Sequence, residues 1–260
     1  MITSAGNSQV KNVIQLNQKA KARREQGLFA AEGRKMFGEA PRDWIFKVYV
    51  SETLVSDETV MGRLQKEEIP YEIVSEPVFR QMSDTQTPQG VLTLLKKPVS
   101  TWEDILKGEN PLIMVLEDLQ DPGNAGTIFR TGEGAGVSGI FLTKTCVDIT
   151  NPKVIRSTMG SIYRMPFLYV EDVVSLEERF KEKSIRTFAA HLKGRDFYDK
   201  ECYTGGTAFF IGNEGKGLTE AAASAADCLI KIPMCGEVES LNAAMAAGIL
   251  MYEASRQRRV

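Results

Sequence analysis

The sequence predicts an α/β protein in two parts: a small N-terminal α/β domain, then a larger α/β domain built on a parallel sheet. Three observations predict it. The 260 residues exceed what one small core organises and fit two compact domains. From residue 111 onward, strand-like apolar runs alternate with helical stretches and Gly-rich turns, the alternation that gives a sheet covered on both faces. The apolar pattern lapses between Pro98 and Pro111. Domains are therefore expected at 1–98 and 111–260, with 99–110 as a linker able to hold one short helix.

In chain order, Val10–Gln26 is polar and compatible with a helix, and the apolar runs Trp44–Val50, Tyr71–Val74 and Val91–Leu95 read as strands. In the second part the strand-like runs are LIMVLEDL, GIFLT, FLYV, RTFAAHL, TAFFIG and CLIKIPM. The stretch from Leu241 to Arg258 has apolar and small residues at helical spacing, with basic residues in its last turn where they complement the helix dipole. Ala244 and Gly248 give it a smooth face for close packing.

Composition narrows the functional classes. Hydrophobic residues at 43% and charged ones at 25% are ordinary globular proportions, which excludes wholesale disorder. The longest uncharged apolar stretch, Ser240–Tyr252, falls short of the ~20 residues of a membrane span. The N-terminal residues have neither the basic region nor the apolar core of a secretory leader, so a cytoplasmic location is expected. Cys146, Cys202, Cys228 and Cys235 lack paired spacing and His191 is the single histidine, so no metal site and no disulfide framework is expected.

Charge is unevenly placed. The net charge is -2, yet residues 1–35 carry +5 and the remainder -7. Lys19, Lys21, Arg23, Arg24, Arg34 and Lys35 are accordingly read as a basic face for a phosphate backbone, with a solvated helix face as the alternative.

Three loops carry chemistry. The first runs from Glu117 to Arg130, where Asp121-Pro122-Gly123 signals a turn and Asn124 is a candidate helix cap. Arg130 lies nearly two turns further on, amid small residues that let backbones come close. The second, Phe210–Leu218, follows an apolar strand but fails as a phosphate loop. Gly217 stands where magnesium chemistry needs Ser or Thr, and Glu214 would repel a pyrophosphate yet tolerate a cationic ligand. The third, Ile232–Asn242, leads into the small-residue helix, which Ser240 or Asn242 can cap; the same helix start also offers N–H groups to an anion. Turn and cap chemistry is the plain alternative for each loop. All three follow strands of one parallel sheet, so they are expected to converge at one of its edges.

Together the motifs N-x-G-x-x-x-R (Asn124–Arg130), I-G-N-E-G-x-G-L (Ile211–Leu218) and I-P-M-x-G-x-V-x-S-L-N (Ile232–Asn242) resemble those of the SpoU (TrmH-like) RNA 2′-O-ribose methyltransferases of the SPOUT superfamily. The first domain, through Phe29–Arg34 and Thr87–Val91, resembles that family's substrate-binding domain. The resemblance implies a C-terminal trefoil knot, in which the chain after Leu241 threads a loop, and a homodimer formed by knot helices. It implies S-adenosylmethionine as cofactor, held near Gly212, Ile232, Leu241 and Met234, and catalytic roles for Arg130, Asn124, Glu214, Ser240 and Asn242. The expected substrate is RNA, ribosomal RNA ahead of transfer RNA, and residues 1–35 are expected to contribute affinity for it. The competing classes are an ordinary doubly wound nucleotide-binding enzyme and a non-catalytic RNA-binding or ribosome-assembly factor.

Overall fold

The computed structural model describes residues 1–194 and 196–259. The strands are β1 (Leu28–Glu32), β2 (Ile45–Ser51), β3 (Tyr71–Val74), β4 (Val91–Lys96), β5 (Leu112–Leu116), β6 (Gly139–Thr143), β7 (Phe167–Val170), β8 (Arg186–Ala190), β9 (Asp196–Phe197), β10 (Thr207–Ile211) and β11 (Cys228–Lys231). The α-helices are α1 (Ser8–Gln18), α2 (Ala20–Gln26), α3 (Arg34–Glu39), α4 (Glu58–Lys66), α5 (Glu76–Met82), α6 (Trp102–Ile105), α7 (Pro122–Ala135), α8 (Pro152–Thr158), α9 (Glu177–Glu182), α10 (Glu220–Ala225) and α11 (Ala243–Arg258). They form two compact units, Met1–Val99 with Asp148–Tyr163, and Ser100–Val147 with Arg164–Val260. Among the described residues no helix is long and apolar enough to cross a membrane.

The first unit is a four-stranded sheet in the order β1-β4-β2-β3, with β4 antiparallel to both neighbours and β3 parallel to β2. Val10, Val13 and Leu16 put three apolar side chains on one face of α1, and they pack with Leu28, Leu92 and Leu94 of the sheet and Phe79 of α5. The helical stretch expected over Val10–Gln26 is two helices. Its break is Lys19, whose backbone is extended at φ -122°. Strand β1 had no counterpart among the expected apolar runs, because its two alanines and Glu32 dilute the apolar signal.

Residues 148–163, placed by sequence order in the second domain, group with the first unit. Arg23 explains part of this. It is only 3% exposed, its Nη2 lies 2.8 Å from Asp148 Oδ2, and its Nη1 donates to the carbonyl of Leu16 at 2.8 Å. Burial raises the pKa of Asp148, but hydrogen bonds from Thr150 and the Arg23 charge outweigh it and hold the carboxyl below its ordinary value. Arg23 therefore leaves the phosphate-facing set, because its guanidinium is enclosed. Lys19, Lys21, Arg24, Arg34 and Lys35 are exposed.

The second unit is a seven-stranded, all-parallel sheet in the order β7-β6-β5-β10-β8-β11-β9. The adjacent strands β5 and β10 are buried along their whole length, as continuous apolar strands covered on both faces must be. Segment 99–110 is more than a linker: Ile105 of α6 is fully buried, and a Cβ added to Gly139 of β6 would lie 2.7 Å from it. Helix α11 packs on α7, with Gly248 facing Thr131 and Gly134 facing the Tyr252 hydroxyl. Its terminal Arg258 donates to the carbonyls of Tyr203 (2.8 Å), Asn110 (2.8 Å) and Gly205 (2.6 Å), which anchors the helix end in the unit. This direct bonding goes beyond the dipole role expected of the basic last turn.

Candidate active site

Because all seven strands are parallel, the segments leaving the carboxyl ends of β5, β10 and β11 emerge at one edge of the sheet, where open α/β sheets bind ligands. These segments are the three loops singled out in the sequence. The first is shaped by Asp118, held at φ 53°, and by Asp121, whose side chain caps α7 by accepting from the Asn124 N–H at 2.7 Å. Asn124, the expected cap, is thus the third residue of the helix. Asp121 takes the cap because Pro122 fills the first helical position, which needs no N–H partner.

Freed from capping, the buried Asn124 side chain bonds sideways. Its Nδ2 donates to Glu214 Oε1 at 3.1 Å, and its Oδ1 accepts from Asn242 Nδ2 at 2.9 Å. Glu214 also accepts from the Asp121 N–H at 2.9 Å and the Gln120 N–H at 3.2 Å. Partial burial raises the pKa of this carboxyl, but the Asp121 N–H, the Asn124 amide and further backbone donors more than compensate and hold it below the usual glutamate value. Asn242 is the α11 cap, its Oδ1 accepting from the Ala244 N–H at 2.9 Å and the Met245 N–H at 3.3 Å. One residue from each loop is therefore joined in a chain, Glu214 to Asn124 to Asn242. Glu214 faces donors of its own protein, so its negative charge is already compensated before any cationic ligand arrives.

The second loop is fixed by residues that the motif reading passed over. Asn213 Nδ2 donates to the Asp118 carbonyl at 2.8 Å, and its Oδ1 accepts from the N–H groups of Gly215 (2.9 Å) and Lys216 (3.0 Å). Glu117, 9% exposed, receives the N–H and hydroxyl of Thr219 at 2.7 and 2.8 Å. An Asn opening a Gly-rich turn and a Glu ending an apolar strand were the available signals. At Gly212 any Cβ would lie 2.2 Å from Gly217 C and Leu218 N, so only glycine allows this crossing of the loop.

The other sequence candidates lie outside this hydrogen-bonded chain. Arg130 is exposed on α7 and makes no hydrogen bond or ion pair among the described residues. Ser240 is exposed, Ile232 and Met234 are half-buried just beyond β11, and Leu241 is exposed ahead of the α11 cap. With Val238 and Met245 also exposed, the third loop offers an apolar surface beside the polar network. Arg130 and Ser240 are exposed and make no hydrogen bond among the described residues, whereas Asn124, Glu214 and Asn242 are held in place by theirs.

A parallel α/β sheet with three glycine-bearing loops tied together at its carboxyl edge has the layout of a ligand-binding α/β enzyme. Residues 111–252 match the SpoU rRNA Methylase family, and residues 7–93 match the MRM3-like substrate binding domain. The chain belongs to the SpoU rRNA Methylase family. It is 33% identical over 263 residues to an uncharacterized tRNA/rRNA methyltransferase of Synechocystis sp., covering 99% of this chain and 94% of the relative. It is 30% identical over 251 residues to the 23S rRNA (guanosine(2553)-2′-O)-methyltransferase of Bacillus subtilis, covering 96% and 97%. An AdoMet-bound rRNA methyltransferase from Sinorhizobium meliloti superposes with a TM-score of 0.85 at 32% identity, covering 98% of this chain and 97% of that one.

Proposed function

We propose that this chain transfers the methyl group of S-adenosylmethionine to a ribose 2′-hydroxyl of ribosomal RNA, acting as a homodimer. The observation that carries the reading is the Glu214–Asn124–Asn242 chain, which holds the three family loops in one fixed arrangement. The residues present suit the cofactor. Half-buried Ile232 and Met234 with exposed Leu241 supply apolar surface for an adenosine, and the side-chain-free Gly212 keeps backbone accessible beside it. When bound, S-adenosylmethionine supplies an electrophilic methyl group whose transfer leaves a neutral thioether. The chain's residues must then align the ribose oxygen, so that its bond to the methyl group forms as the sulfur–methyl bond breaks, and favour passage of the hydroxyl proton to solvent water.

Arg130 meets the second need electrostatically. A guanidinium is a donor with no acceptor atom, so Arg130 is assigned to grip the neighbouring phosphate and stabilise the alkoxide that develops at the 2′-oxygen. Asn124 and Asn242 act as positioning residues for the loops, and Ser240 stands at the loop end with its hydroxyl available. Met245 and Tyr252, seven residues apart on α11 and both exposed, support a second copy packing on that helix. The test is calorimetric titration with S-adenosylmethionine, followed by transfer of its labelled methyl group to ribosomal and to transfer RNA. Cofactor binding with labelling of ribosomal RNA is expected. Labelling of transfer RNA alone would reassign the substrate, and no cofactor binding would overturn the reading.

A further inference from the structure

Far from the three loops in sequence, the first unit contains a cavity of about 200 Å³ between the β1–α3 turn, the loop 83–90 and the end of α8. This is smaller than the ~300–1,000 Å³ of pockets for drug-sized ligands and suits one flat ring system. Its walls include two methionines. Met36 is buried, whereas Met159 is 41% exposed and closes α8 at φ 51°, a left-handed position that glycine usually fills. A large apolar side chain held in unfavourable backbone geometry at a cavity rim points to use by a ligand. Methionine thioethers make favourable contacts with aromatic rings.

The polar groups are of a matching kind. Gln89 Oε1 accepts from the Arg34 N–H at 3.0 Å, while the Gln89 amide nitrogen and the Thr87 hydroxyl make no bond among the described residues. The oxygens of two carboxylates nearby are already engaged. Glu32 accepts from the hydroxyls of Ser83 and Thr85, each at 2.8 Å, and Asp84 pairs with Arg156 at 2.7 Å. Lys35 lines the cavity and Arg34 precedes it. Both cations are exposed and are paired with less exposed carboxylates, Lys35 with Glu39 at 3.7 Å and Arg34 with Asp57 at 2.9 Å, so each presents its outer N–H groups to a phosphate.

We propose that this cavity binds one unpaired nucleobase of the RNA substrate, stacked on Met159 and hydrogen-bonded by Thr87 and Gln89, with Arg34 and Lys35 taking the flanking phosphates. Proteins recognise unpaired RNA by enclosing splayed bases and gripping the backbone beside them. The proposal rests on RNA being the substrate and adds a docking point separate from the methyl-transfer loops. It also gives a purpose to the union of residues 148–163 with the first unit, since Met159 and Arg156 come from that segment.

The test compares binding of single-stranded RNA octamers of each base with that of a duplex carrying the same number of phosphates, by fluorescence anisotropy at fixed salt. The intact protein is expected to prefer at least one octamer to the duplex by ~10-fold. Thr87→Trp, which fills the cavity, should abolish the preference. Met159→Gly should do the same while relieving the left-handed strain, so a preserved or raised Tm would separate lost stacking from misfolding. S-adenosylmethionine titrated into the same variants should bind unchanged. Single-strand preference surviving in folded Met159→Gly, or absent from the intact protein, would overturn the cavity assignment without touching methyl transfer. Thr87-sensitive preference in a protein that binds no S-adenosylmethionine would instead overturn the methyl-transfer reading and leave the pocket standing.

Discussion

Glu214 and Arg23 show how a charged side chain is assigned by what surrounds it. The carboxylate of Glu214 accepts from two backbone N–H groups and the Asn124 amide, and its pKa is lowered. A carboxyl with a depressed folded-state pKa adds stability above its unfolded value, and that stability is lost as pH falls through the folded value. Glu214→Gln should therefore lower the Tm at neutral pH, with the difference from the parent shrinking as the pH drops below the ordinary glutamate value of 4.5. Denaturation scans from pH 7 to 3 check this, and a difference constant with pH would contradict it. Arg23 is the opposite case to a surface cation. Its charge is enclosed with Asp148, so Arg23→Ala leaves a carboxylate without its partner and should cost about 3 kcal/mol in urea unfolding. A change near zero would place the residue back on the surface.

At the level of elements, the third loop carries the most exposed apolar side chains of the site. Leu241→Trp should block the adenosine sterically while leaving the α11 cap at Asn242 intact. Calorimetry should show cofactor affinity lost by at least 10-fold in a folded protein, and retained affinity would mean that the pocket lies elsewhere. The strands were largely legible because apolar runs bounded by turns are their direct signature: Tyr71–Val74 and Val91–Leu95 lie within a residue of β3 and β4. The short, alanine-bearing β1 and the two-residue β9 had too little pattern to read. The three loops were legible as motifs, but not their internal bonding. Asp121 and Asn124 are both good caps in sequence, and only the position of Pro122 decides between them. Threading of the chain after Leu241 leaves no mark in periodicity, so the knot rests on the family resemblance.

For the whole molecule, the sequence order of domains and their spatial grouping part company at residues 148–163. Helix α8 lies there, and nothing in the sequence order says which sheet it joins. The ion pair of Arg23 with Asp148 could not be read from charge counts either, since enclosed and exposed cations contribute equally to a net charge of +5 over residues 1–35. With Arg23 removed, five exposed cations remain as proposed phosphate contacts, and three of them, Lys19, Lys21 and Arg24, lie close to it in sequence. Reversing those three charges should weaken RNA binding, reduce the slope of log K against log salt by about 2 to 3 and leave cofactor affinity unchanged. Binding measured across a salt series would show it, and an unaltered slope would exclude the region from the interface.

The three tied loops are proposed to place a ribose 2′-oxygen for methylation. Ribosomal RNA incubated with the protein and S-adenosylmethionine should acquire 2′-O-methylation at a defined nucleotide, mapped by resistance of the adjacent phosphodiester to alkali. A fragment carrying that nucleotide as its 2′-deoxy form should then accept no methyl group. Arg130→Ala should bind cofactor normally and transfer methyl groups at least 100-fold more slowly. Methyl transfer to the 2′-deoxy fragment would rule out the 2′-oxygen as acceptor, and full activity in Arg130→Ala would rule out its guanidinium as the stabilising charge.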